Sequence, residues 1–132
     1  MGITLEEPKP VVIAVPPETL IEELRVTTTA AAADLTPTEG KRIRVLGIFM
    51  SLTVTSALTS TVRATIAFGT DHTTESDRIL ASFRAVKGDD ARSEWMGGIN
   101  VLGAVDEVVR LTNITFSGGT AITRAVIYYR EE

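Results

Sequence analysis

At 132 residues the chain has the length of one domain, long enough to bury a core without disulfides or metals. Hydrophobic content of 44% and charged content of 23% exclude global disorder, and the lack of cysteine removes disulfides, thiolate nucleophiles and cysteine-ligated metals together. A formal net charge of -4, with the basic residues scattered, argues against a grip on nucleic-acid phosphates.

Four of the five prolines fall in the first 17 residues, at Pro8, Pro10, Pro16 and Pro17. Proline fixes φ and removes a backbone donor, so this stretch is neither helix nor central strand. The prolines enclose Val11-Val12-Ile13-Ala14-Val15, too apolar to float in water. Two readings fit. One is an extended arm over residues 1–19, lying along an edge of its own body or of a neighbour, with Val11, Val12, Ile13 and Val15 as the partner-binding residues. The other is an ordinary first strand. The start is acidic and Pro-punctuated rather than basic and then apolar, so no signal peptide is visible. No apolar run approaches the roughly 20 residues that span a bilayer. The expectation is a soluble protein with no membrane partner.

Residues 18–24 suit a helical turn, with Pro17 ahead of them and glutamates in the first turn, but Val26-Thr27-Thr28-Thr29 then favours strand. Residues 34–40 carry turn chemistry at both ends. From Lys41 the pattern is β. Over residues 41–54 the apolar phase begins with Ile43 and Val45 and shifts to Leu46, Ile48, Met50 and Leu52, with Gly47 beside the slip, which predicts a bulge. Residues 61–68 alternate, with Val62, Ala64, Ile66 and Phe68 inward and Thr61, Arg63 and Thr65 outward. Ile79, Ala81 and Phe83 mark another strand, and further strands are expected around residues 92–96, 99–102, 107–116 and 121–130. Gly118-Gly119 reads as a hairpin between the last two. In the final strand Ile127 and Tyr129 share one face, and Val126 and Tyr128 share the other. Both faces are apolar, which asks for a second cover, often another subunit. The sum is an all-β fold: a single β-sandwich or jelly roll of about eight strands over residues 20–132, behind the Pro-rich arm.

Catalytic equipment is thin. His72 is the only histidine; Asp71 beside it points to the opposite face of any strand, and no serine sits in a Gly-x-Ser-x-Gly elbow. The loop 71–77 offers Asp71, Glu75 and Asp77 as oxygen donors for a hard cation, without the glycine and spacing of an EF-hand. Asp89-Asp90 explains itself as part of a turn. Glu94 is the one carboxylate next to an aromatic sugar platform, Trp95, yet a single Trp supplies a carbohydrate groove poorly. Trp95 fits core or subunit interface better, as do Ile127, Tyr128 and Tyr129. No enzyme activity, cofactor or metal is expected.

An all-β body, an apolar extended arm and a terminal strand covered on both sides suit a self-assembling structural protein. The stretch Thr36-Pro37-Thr38-Glu39-Gly40-Lys41-Arg42-Ile43-Arg44-Val45-Leu46-Gly47-Ile48, with Ala125-Val126-Ile127-Tyr128-Tyr129-Arg130, resembles small β-sandwich structural proteins of tailed bacteriophages over the last two-thirds of the chain. That resemblance implies a virion protein assembled in the host cytoplasm. It would be a capsid decoration or cementing protein, a trimer or other ring that clamps onto viral capsid protein. A neck, tail or baseplate component is the sibling reading. A jelly roll binding carbohydrate or an ion through residues 71–77 is the reading from another class.

Overall fold

Alternating apolar residues make strands, and the computed structural model of the chain, which describes residues 19–27, 32–59, 62–69, 79–88, 91–115 and 119–132, is built from them. In chain order these are β1 (Leu20–Thr27), β2 (Ala32–Leu35), β3 (Ile43–Ser56), β4 (Val62–Phe68), β5 (Ile79–Ala85), β6 (Ala91–Met96), β7 (Val101–Leu102), β8 (Val109–Thr115) and β9 (Thr120–Glu131). The front sheet has the order β1-β9-β3-β6, with β7 also on β3; the back sheet has the order β2-β8-β4-β5. Every pairing is antiparallel. A five-strand front sheet and a four-strand back sheet, with the chain passing repeatedly between the layers, make the jelly-roll arrangement, so the expected fold class is the observed one.

The core lies between the layers. Front-sheet residues such as Ile43, Val45, Ile48, Met50 and Ile127 meet back-sheet residues such as Val62, Ile66, Val109 and Leu111, all fully buried. Each such aliphatic side chain contributes roughly 1.5–3 kcal/mol by leaving water. The slip in β3 is real: Val45 faces Tyr129 and Gly47 faces Tyr128, so Leu46 is the extra residue of a bulge. That insertion lets the odd-numbered Ile43 and Val45 share a core face with the even-numbered Ile48, Met50 and Leu52.

Four expectations need correction. Residues 20–27 form no helical turn but edge strand β1, paired with β9 from Leu20 opposite Tyr129 to Thr27 opposite Ile122. Eight residues of ladder outweigh the weak local helix preference. Asp34 and Leu35 end a short strand instead of opening a loop, because Ala32 to Leu35 pair with Thr112 to Val109. Thr65 lies on the outer face of β4 yet is fully buried, and its hydroxyl, with Arg63 Nε and Thr112 Oγ1, has no hydrogen-bond partner among the described residues. Finally, Gly118-Gly119 does not close a hairpin. Strand β8 belongs to the back sheet and β9 to the front one, so the connection crosses the sandwich.

Candidate functional site

Strand β9 is a central strand of the front sheet, and its parity divides the expected interface residues. Ala121, Thr123, Ala125, Ile127 and Tyr129 are buried; the even positions from Ile122 to Arg130 are half-buried and face outward. Ile127 and Tyr129 are therefore core residues covered by the chain's own back sheet, which corrects their assignment to a subunit interface. Burial also raises the pKa of the Tyr129 hydroxyl above its ordinary value, with Glu22 and Glu131 adding to the rise. Tyr128 and Trp95 share the outer face, where Trp95 is 55% exposed.

This outer face carries a cross-strand apolar stripe. Ile21, 61% exposed, pairs with Tyr128, which pairs with Gly47. In the next row Val126 pairs with Phe49, which pairs with Trp95. The Trp95 ring stacks closely on two glycines: a Cβ on Gly47 would lie 2.9 Å from its Cη2, and one on Gly97 would lie 2.8 Å from its Nε1. Tyr128 stands beside it edge-on, with ring centroids 5.3 Å apart and planes at 88°. Such pairs contribute about 0.5–1.5 kcal/mol beyond their buried area. The indole is thus held from below by backbone and from the side by a phenol while more than half of it meets solvent. Glu94 pairs with Met50 rather than Phe49, and alternation sends it to the other face of β6, so Glu94 and Trp95 do not form a joint sugar site.

Arginines flank the stripe. Arg25 and Arg124 pair on one side, where Arg124 Nε lies 3.4 Å from Glu23 Oε1. Arg44 and Arg130 pair on the other. Glu132 accepts from Arg44 Nε at 2.6 Å and Nη2 at 3.0 Å, and from Arg130 Nε at 2.8 Å; Arg44 Nη1 donates to Asn100 Oδ1 at 2.8 Å. The Arg44 hydrogen bonds, then those from Arg130, pull the Glu132 carboxyl from its ordinary 4.5 down to about 2. A carboxyl depressed in the folded state stabilises the fold above its unfolded pKa and loses that contribution as pH falls through the folded value. The melting-temperature gap between wild type and Glu132→Gln is accordingly expected to be open at neutral pH and to close between pH 4.5 and about 2. The gap should be small, since the pair is solvent-screened, and smaller still in high salt. A thermal melt series over pH checks it.

Ser51, Leu52, Thr53, Ala91, Arg92 and Ser93 line a shallow, open depression at the β3–β6 edge. Its hydroxyls and single guanidinium supply no general acid–base pair. Val11, Val12, Ile13 and Val15 lie outside the described residues, as do Asp71, His72, Glu75, Asp77, Asp89 and Asp90. Among the described residues no group of three or more His, Asp or Glu comes together as a metal site. The reading of the sequence missed Ile21, Phe49 and the two glycines. Only their place in the folded sheet joins them to Trp95.

No protein-family model and no curated protein matches the chain. One solved structure of similar course is a chain of Bacillus endospore appendages, described as a novel family of disulfide-linked pili. It shares 16% identity over 86% of this chain and 88% of that one, with a TM-score of 0.42.

Proposed function

We propose that the protein is a non-enzymatic, self-assembling structural protein that works as a homo-oligomer, a trimer or other ring. The observation that supports this best is the stripe from Ile21 through Tyr128, Val126 and Phe49 to Trp95. A row of apolar side chains across four strands, with a rigid aromatic centre and a charged rim of Glu23 and arginines, has the anatomy of an association surface. In its narrower form the proposal is a virion role, with the assembled rings cementing neighbouring capsid subunits and the apolar arm supplying the clamp.

Light scattering on the purified chain tests the general reading. The expected mass is a discrete multiple of 14.2 kDa, falling to that value in Tyr128→Ala with the melting temperature little changed. A monomer at every concentration would count against self-assembly in solution. Co-sedimentation with isolated phage shells tests the narrower reading, and a protein that stays in the supernatant would remove it.

A further inference from the structure

Resting on the self-assembly reading, we propose that the front-sheet stripe is a receptor for the Pro-rich segment 8–17 of a second copy of this chain. The stripe crosses four strands, three inter-strand spacings of about 4.8 Å each, so it is about 14 Å long. Extended, Val11-Val12-Ile13-Ala14-Val15 reaches about 17 Å, which matches that length. Its flanks, Pro8, Pro10, Pro16 and Pro17, favour the extended polyproline geometry that aromatic-lined surfaces accept at low entropic cost. Trp95, with glycines beneath it and Tyr128 beside it, offers an exposed, immobilised ring of the kind such segments pack on.

Charge is not the driving force: the face carries Arg25, Arg44, Arg124 and Arg130 against Glu23 and Glu132, and segment 8–17 carries Lys9 alone, so the contact rests on the apolar side chains. The exchange runs between copies because of where the segment joins the body. It joins the body at Leu20, where edge strand β1 begins, so it departs from the rim of the front sheet, the side on which a neighbouring copy abuts in the proposed assembly. Donor segment and acceptor face are different surfaces, so the exchange closes either reciprocally between two copies or, passed head to tail, as a ring.

Trp95 is the only tryptophan, so its emission reports directly on whether the stripe is covered. The experiment follows emission and light-scattering mass together on dilution of the full chain, in wild type and in Val12→Asp/Ile13→Asp. Wild type is expected to red-shift on dilution as its mass falls to 14.2 kDa, and the double variant to be red-shifted and 14.2 kDa throughout. A synthetic peptide of residues 8–17 in excess should dissociate the wild-type oligomer while keeping the emission blue, a readout independent of how the variant folds. An oligomer whose mass and emission ignore both the variant and the peptide overturns the exchange and leaves self-assembly standing. A monomer with exposed emission in all samples overturns both. Blue emission that ignores dilution but is lost in the double variant means docking on the same chain, and overturns the exchange between copies.

Discussion

Ile127→Ala is expected to cost about 3–4 kcal/mol of folding stability, several-fold more than Tyr128→Ala one residue along. Ile127 is fully exposed to other side chains and not at all to water: it is 0% accessible, pairs with Ile48, and lies on the core face of β9 with Ala125 and Tyr129. Truncation there removes three carbons from a packed interior and leaves a void that strands bonded on both sides cannot collapse. Tyr128 points outward, and its loss forfeits the edge contact with Trp95 and partial burial, about 1 kcal/mol together. The association phenotype should run the opposite way, with Tyr128→Ala weakening assembly and Ile127→Ala leaving the outer face intact where the protein still folds. Urea unfolding with light scattering at low denaturant measures both. Equal costs for the two variants would refute the assigned facing of β9.

That contrast marks what was legible in the sequence. Strict alternation along β9 separates Ile127 and Tyr129 from Val126 and Tyr128, but parity cannot say which set meets the second sheet. Grouping Ile127 and Tyr129 with Trp95 and Tyr128 as one interface ignored the separation that parity already gave. The Gly47 bulge was legible because a phase slip beside a glycine has few other causes. Strand partners were not. Consecutive strands β4 and β5 pair as a hairpin, whereas β3 lies between β9 and β6, and β8 between β2 and β4. Nothing local in residues 116–119 tells a hairpin from a crossing between layers, since both need a reversal. The helical turn expected at residues 18–24 failed for the same reason: the partner that makes β1 a strand lies about a hundred residues away. Ile21 falls in the stretch that reads as a helical turn and Phe49 lies off the apolar phase of β3, until β9 brings them to either side of Val126 and Tyr128.

The crossing itself is where the second large effect is expected. Gly119 has φ +77, and a Cβ there would lie 2.4 Å from the Ala57 carbonyl oxygen and 2.8 Å from Leu58 Cα. Both obstacles are backbone, so no rotamer change relieves them. An L-residue in this conformation costs roughly 1–2 kcal/mol, and forcing the backbone apart adds roughly 1–3 kcal/mol. Gly119→Ala should therefore lower stability by about 3 kcal/mol, which for a domain of this size is a drop of roughly 10 °C in melting temperature. Gly40→Ala is the control: φ is +80 there too, but nothing lies within 4 Å of the added carbon, so only the conformational cost remains. Equal drops in the two variants would mean that the close approach of residues 57–58 to Gly119 is not tight in solution. The contact also bears on the site. Gly119 precedes Thr120, which pairs with Ser56 at the second register shift of β3, while Thr120 Oγ1 lies 2.6 Å from Thr55 Oγ1. These contacts set where β9 enters the front sheet. A displacement by one residue would turn Val126 and Tyr128 into the core and Ile127 and Tyr129 out to solvent. A Gly119 variant that still folds but no longer assembles would locate the register of the receptor face at this one close backbone contact.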